Sequence, residues 1–220
     1  SGSARPTAIM RYLPSASSWT TPTVSGTPPS GREAHTAVWT GQDLIVWGGH
    51  DGTSYVNSGA RYNPAANSWS SLATDQVPSA RAYHAAVWSG KEMIVWGGTD
   101  GTVSLQDGGR YDPMLNAWSP VATTGAPSGR RQHTAVWADN EMIIWGGYNG
   151  TTYLADGGRY DPLTGSWAVT PSANLTGRTA HTAVWTGDAM LVFGGQTAST
   201  TFDTLVKFTR EKTIYLYQIP

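Results

Sequence analysis

His35-Thr-Ala-Val-Trp39, His84-Ala-Ala-Val-Trp88, His133-Thr-Ala-Val-Trp137 and His181-Thr-Ala-Val-Trp185 are four copies of one pentad, set 49, 49 and 48 residues apart. An arginine precedes each histidine by three residues, at Arg32, Arg81, Arg130 and Arg178. After each pentad come a short turn, an apolar run and a glycine pair: Gly48-Gly49, Gly97-Gly98, Gly146-Gly147 and Gly194-Gly195. A basic-aromatic pair follows, at Arg61-Tyr62, Arg110-Tyr111, Arg159-Tyr160 and Lys207-Phe208. Eight residues after each basic residue stands Trp69, Trp118 or Trp167, with Tyr215 in that place in the last copy. Tandem self-similarity at this period marks an array of supersecondary units, each unable to bury its apolar face alone.

Each copy supplies four strands. The pentad alternates polar and apolar residues and ends at a turn such as Thr40-Gly41 or Asp139-Asn140, so it is the first arm of a hairpin. The second strand is continuously apolar (Leu44-Ile-Val-Trp47, Met93-Ile-Val-Trp96, Met142-Ile-Ile-Trp145, Met190-Leu-Val-Phe193), as a strand covered on both faces must be. The third carries the basic-aromatic pair and stops at Asn63-Pro64, Asp112-Pro113 or Asp161-Pro162. The fourth holds the tryptophan. Radial packing of four-stranded antiparallel sheets around an axis covers both faces of every sheet and leaves only short edges. The expected fold is therefore all-β, a β-propeller.

The glycine pair after an apolar strand, then Arg-Tyr-Asp-Pro, then Trp, in four phased copies over residues 32–217, resembles the kelch-repeat family of β-propellers, of bacterial type and distantly like the central domain of galactose oxidase. The last copy departs from the pattern, with Lys207-Phe-Thr-Arg210 and no proline turn. Residues 8–220 are assigned to one propeller domain, with repeats 32–69, 81–118, 130–167 and 178–217 and an N-terminal half-blade at 8–20, Arg11-Tyr-Leu-Pro14 to Trp19. Residues 1–7 are placed outside the fold, since Ser1-Gly-Ser3 without an initiator Met has the look of a vector remnant. Ring closure has more than one solution. Residues 8–20 can dock beside the fourth repeat and close a four-bladed ring, the solution slightly favoured. Kelch rings usually have more blades, so the chain can also be a fragment or be completed by a second chain.

Composition removes several functions. Charged residues are 13% of the chain, the net charge is −1 and no basic block occurs, which argues against nucleic-acid binding. The apolar runs of four or five residues are too short for membrane insertion. Without cysteine there are no disulfides, thiolate metal sites or cysteine nucleophiles. The compartment stays open, with an extracellular or cell-surface bacterial location slightly favoured.

The repeated His and Arg read two ways. Four imidazoles ringing an axis could hold a metal, but a residue recurring in every blade recurs because every blade needs it, here to hydrogen-bond the neighbouring blade's backbone. No cofactor and no metal site are expected. Asp51-Gly52, Asp100-Gly101 and Asn149-Gly150 read as tight turns rather than calcium loops, and Asn149 and Asn174 fit the glycosylation acceptor pattern.

Function should instead lie where the repeats disagree. The resemblance implies ligands on the face formed by the loops joining second to third strands and fourth to first. There, Glu33, His50, Tyr83, Arg131, Gln132, Tyr148 and Gln196 vary from blade to blade and give a polar-aromatic rim suited to a peptide or a sugar. The expected function is a non-catalytic module binding a protein, peptide or glycan, with self-association to complete the ring as a further possibility. The alternative is a sugar-modifying enzyme of the kelch mutarotase type, with Glu33 and Arg131 as base and cation. A copper radical oxidase of the galactose-oxidase type needs a Cys-linked tyrosine, and this chain has no cysteine.

Overall fold

The computed structural model describes residues 9–170 and 175–209. They form five antiparallel sheets, and the only helical element among them is a 3-10 turn at Pro14–Ala16. Blade 1 is β3 (Thr36–Trp39), β4 (Leu44–Trp47), β5 (Gly59–Asn63) and β6 (Ser68–Ser71), preceded by a hairpin of β1 (Arg11–Leu13) and β2 (Ser18–Thr20). Blade 2 is β7 (Ala85–Trp88), β8 (Met93–Trp96), β9 (Gly108–Asp112) and β10 (Ala117–Pro120). Blade 3 is β11 (Thr134–Ala138), β12 (Glu141–Trp145), β13 (Gly157–Asp161) and β14 (Ser166–Thr170). Blade 4 contributes β15 (Thr182–Trp185), β16 (Ala189–Phe193) and β17 (Leu205–Thr209); its expected fourth strand, with Tyr215, lies outside the described residues, as does Asn174.

Register repeats from blade to blade: Ile45 faces Arg61, Ile94 faces Arg110, Ile143 faces Arg159 and Leu191 faces Lys207. Because side chains alternate along a strand, each second strand serves two neighbours. Ile45 and Trp47 pack forward with Met93, Val95, Tyr111 and Trp118 of blade 2, and Ile94 and Trp96 pack forward with Met142, Ile144 and Tyr160 of blade 3. All four side chains of β8 are fully buried, each stabilising the array by roughly 1.5–3 kcal/mol. A ladder of aromatic rings runs through these interfaces: Trp118 lies 5.3 Å from Trp47, and Trp167 lies 5.4 Å from Trp96. The first strands β3, β7, β11 and β15 stand side by side, which makes theirs the inner edge of the array.

The hairpin β1–β2 occupies the place of the outer half of a blade preceding blade 1. Tyr12 packs on Trp19 at 5.3 Å as Tyr62 does on Trp69, Arg11 Nη2 donates to Asn67 Oδ1 (2.6 Å), and Ile9 and Val24 cover Val46, Ala60, Tyr62 and Trp69. It is a separate two-stranded sheet, whereas the edge of β16 is paired with β17. The favoured expectation, residues 8–20 joining the strands of the fourth repeat, is thus not the arrangement found. The apolar contacts of Ile9 and Val24 hold the hairpin to blade 1.

Candidate functional site

The repeated arginines are staples. Arg81 is fully buried and donates to Ser79 O (2.9 Å), Gly97 O (3.1 Å) and Asp107 O (2.9 Å), with Asp107 Oδ1 3.0 Å from its Nη2. Arg130 repeats the set with Ser128 O, Gly146 O and Asp156 O, Arg32 with Ser30 O, Gly48 O and Ser58 O, and Arg178 with Thr176 O and Gly194 O. Each guanidinium ties the incoming link to the glycine pair and to the loop beyond it through charge-assisted hydrogen bonds, in three blades sharing the loop carbonyl with the N–H of the first glycine of the pair.

The repeated histidines are wedges between blades. His84 stands edge-on to Trp47 of the preceding blade at 5.1 Å and its Nε2 shares a hydrogen bond with Thr36 Oγ1 (2.8 Å); His181 does the same with Trp145 (5.1 Å) and Thr134 (2.9 Å). The preceding blade's backbone acts on these rings as expected, at Trp47 for His84 and at Trp145 for His181, and the first strand of that blade adds a threonine hydroxyl. Burial drives these rings toward the neutral form, with a nearby arginine adding repulsion: His84 is lowered to about 3 and His181 to about 4, and His133 lies well below its ordinary value. Among the described residues no group of His, Asp and Glu side chains is placed to hold a metal ion. Asp51, Asp100 and Asn149 each use Oδ1 to accept two backbone N–H groups of their own turn, a role that accounts for their recurrence.

The variable residues sit where the chain leaves the glycine pair. In blade 1 both Gly48 and Gly49 have positive φ, +71° and +102°, and the turn they make lays His50 against Glu33 as an isolated bridge with N···O distances of 3.0 and 2.9 Å. Arg131 and Tyr148 pair likewise in blade 3, and Thr179 and Gln196 in blade 4. The guanidinium of Arg131 lies 5.3 Å from the Tyr148 ring centroid. The next position in each blade is left-handed: Ala34, Tyr83, Gln132 and Ala180 have φ between 51° and 58°. This turns Tyr83 and Gln132 outward while their backbones join the blades, Tyr83 N–H donating to Ala34 O and Gln132 N–H to Tyr83 O, both at 3.0 Å. Tyr83 of blade 2 is thereby joined through its backbone to Gln132, which neighbours the Arg131–Tyr148 pair of blade 3. Glu33 and His50 pair on blade 1, and Gln196 stands on blade 4. Glu33 and Arg131, the base and cation of the enzyme alternative, are on blades 1 and 3 with blade 2 between them.

Two rim aromatics escape a reading confined to the residue after the glycine pair. Tyr55 packs edge-on to His50 at 5.0 Å and Tyr153 packs on Tyr148 at 5.0 Å, each bridged to it across the four-residue turn. The signal was the matched spacing of His50-Asp-Gly-Thr-Ser-Tyr55 and Tyr148-Asn-Gly-Thr-Thr-Tyr153.

Comparison with known proteins agrees with this architecture. The model of the KLHDC2/KLHL20/DRC7 Kelch-repeats domain matches residues 4–195. No curated protein matches the chain. With the blades, the stapling arginines and a match over most of its length, the chain belongs to the KLHDC2/KLHL20/DRC7 Kelch-repeat family.

Proposed function

We propose that the patch formed by Tyr83, Arg131, Gln132 and Tyr148 binds a peptide segment of a partner protein, with an acidic group of the peptide against Arg131 and its apolar part on the tyrosine rings. Kelch-repeat domains serve in general as protein-interaction modules. The observation that carries the finer reading is the state of Arg131. Whereas Arg81 and Arg130 are enclosed by carbonyls and a carboxylate, Arg131 is half-exposed over the Tyr148 ring, with no carboxylate bound to it among the described residues. A guanidinium held flat on an aromatic face keeps its donor edge available to a carboxylate, and Tyr and Arg are the side chains that most often anchor protein interfaces.

Selection of peptides from a random displayed library on the chain tests this. Binders should be enriched in Asp or Glu, and Arg131→Ala should weaken them at least about tenfold with the melting temperature unchanged. Lys91→Ala, at the opposite end of β8, should leave binding intact. Binders that ignore both Arg131→Ala and Tyr83→Ala would place recognition elsewhere.

A further inference from the structure

The arginine of the third strand is used in one way in blades 2 and 3 and in another way in blade 1. In blade 2 Arg110 presents a fork to Glu92, Nε donating to Oε2 and Nη2 to Oε1, both at 3.1 Å, while Nη1 donates to Pro162 O of blade 3 (2.9 Å). In blade 3 Arg159 Nη1 donates to Glu141 Oε2 at 3.4 Å. Blade 1 keeps the arginine and its contact to the next blade, Arg61 Nη1 donating to Pro113 O (2.5 Å). The acid in the place of Glu92 is Asp43, one methylene shorter, and its Oδ1 accepts from Asn63 Nδ2 (2.8 Å) instead. Blades 2 and 3 have Asp112 and Asp161 where blade 1 has Asn63, and an aspartate has no amide to draw a carboxylate aside. Arg61 consequently has no carboxylate bound to it among the described residues, and the two-bond place that Glu92 fills on Arg110 is open.

Arg61 lines a cleft of about 650 Å³ between blades 1 and 2, at the end of the strands opposite the glycine pairs, and a volume of this order suits a small ligand. The sister cleft between blades 2 and 3 is of similar size, about 590 Å³, with the opposite balance of charge. Arg61 and Lys91 outnumber Asp43 in the first, whereas Glu92, Glu141 and Asp161 outnumber Lys91 and Arg110 in the second. Trp88 and Pro113 give the first cleft an apolar wall, and Gln42, Ser68 and Ser70 bring amide and hydroxyl groups to it.

We propose that the cleft between blades 1 and 2 is a second binding site, for a small carboxylic acid with a hydroxyl-bearing body, whose carboxylate takes on Arg61 the place that Glu92 takes on Arg110. The planar guanidinium suits a carboxylate through two parallel hydrogen bonds, and blade 2 shows that the repeat's own backbone accommodates that pair. Lys91, across the cleft on blade 2, adds positive charge without a close ion pair of its own, its Nζ lying 3.9 Å from Asp112 Oδ2. The hydroxyl groups of the ligand meet Gln42, Ser68 and Ser70. This site does not depend on the Arg131–Tyr148 pair, which stands at the other end of the blades.

Titration with glucuronate, followed by NMR on the indole N–H of Trp88, tests the proposal; the signal is identified by its loss in Trp88→Phe. It should shift saturably with glucuronate. Glucose, which lacks the carboxylate, and propionate, which lacks the hydroxyls, should each bind at least about tenfold more weakly. Arg61→Gln should weaken glucuronate binding at least about tenfold. Asp43→Glu is the sharper variant, because it keeps the net charge and supplies from within the chain the carboxylate that blade 2 already uses. It should melt no lower than the parent and also bind glucuronate at least about tenfold more weakly. Absence of a saturable shift, or undiminished binding in either Arg61→Gln or Asp43→Glu, would overturn the site. Propionate binding as tightly as glucuronate, or N-acetylglutamate α-amide binding more tightly, would overturn the class of ligand, the latter in favour of a peptide carboxylate.

Discussion

His84 Cε1 occupies the space that a side chain on Gly48 would need: a Cβ built on that glycine comes within 2.6 Å of it. The relationship recurs between Gly97 and His133 and between Gly146 and His181. It ties two features of the repeat into one joint, with the glycine giving both positive φ and clearance for the neighbouring blade's imidazole. Gly97→Ala should therefore cost about 2–5 kcal/mol, combining a left-handed alanine with overpacking against His133. Gly194→Ala has the same backbone penalty without the collision, so it should cost only about 1–2 kcal/mol. Urea unfolding of both variants checks the pair, and equal losses would mean that the steric argument is wrong.

The three enclosed histidines make stability depend on pH. His84 is lowered to about 3 and His181 to about 4, with His133 also far down, chiefly through burial. Below pH 6.5 the unfolded chain takes up protons that the folded chain refuses, so folding weakens as pH falls from there toward about 4. Each histidine contributes roughly 1.4 kcal/mol per pH unit in that window, and the three together about 4 kcal/mol per unit. Above pH 6.5 this contribution is constant. Urea midpoints measured from pH 8 to pH 5 should be level and then drop steeply; a level profile down to pH 5 would show that the imidazoles are solvated.

The propeller was readable because its determinants recur. Four glycine pairs, four arginines and the continuously apolar second strands can be recognised by phase alone, and each does in the structure what a doubly covered sheet requires. Three things were not readable. The side-chain partner of His84 is Thr36 Oγ1, a residue 48 positions away whose role depends on how two blades are rotated against each other. Tyr55 and Tyr153 join the rim only because the intervening Asx turn folds them back onto His50 and Tyr148. The hairpin β1–β2 fits any blade edge of the same register, so the repeat pattern alone cannot say that it rests on blade 1 rather than on β16. Of the rim, sequence variation could only single out positions as an expectation; it could not say that Gln132 of blade 3 bonds the backbone of Tyr83 in blade 2, or that Glu33 and His50 are bridged within blade 1.

Truncating the aromatic ladder should be costly. Trp118 packs between Trp47 of blade 1 and Tyr111 of its own blade, at 5.3 and 5.2 Å, and only 4% of it is exposed. Trp118→Ala should destabilise the chain by roughly 3–5 kcal/mol. Trp19 is 63% exposed, so Trp19→Ala should cost far less. Thermal melts of the two variants distinguish a packing residue from a surface one.

One blade joint lacks a bond that its neighbours have, and restoring it should stabilise the protein. Thr36 serves His84 and Thr134 serves His181, but the residue in the same place before His133 is Ala85, and neither ring nitrogen of His133 has a hydrogen-bond partner among the described residues. A buried imidazole without a partner costs free energy that a single hydroxyl can recover. Ala85→Thr adds that hydroxyl at a strand position where a β-branched residue is favoured and where two sister joints already accommodate it. The variant should gain about 1 kcal/mol in urea unfolding. His133→Leu in the same background should abolish the gain, since the hydroxyl then has no ring nitrogen to meet. A gain that survives His133→Leu would assign it to strand propensity, and a loss of stability in Ala85→Thr itself would show that the joint between blades 2 and 3 is packed more tightly than its two sisters.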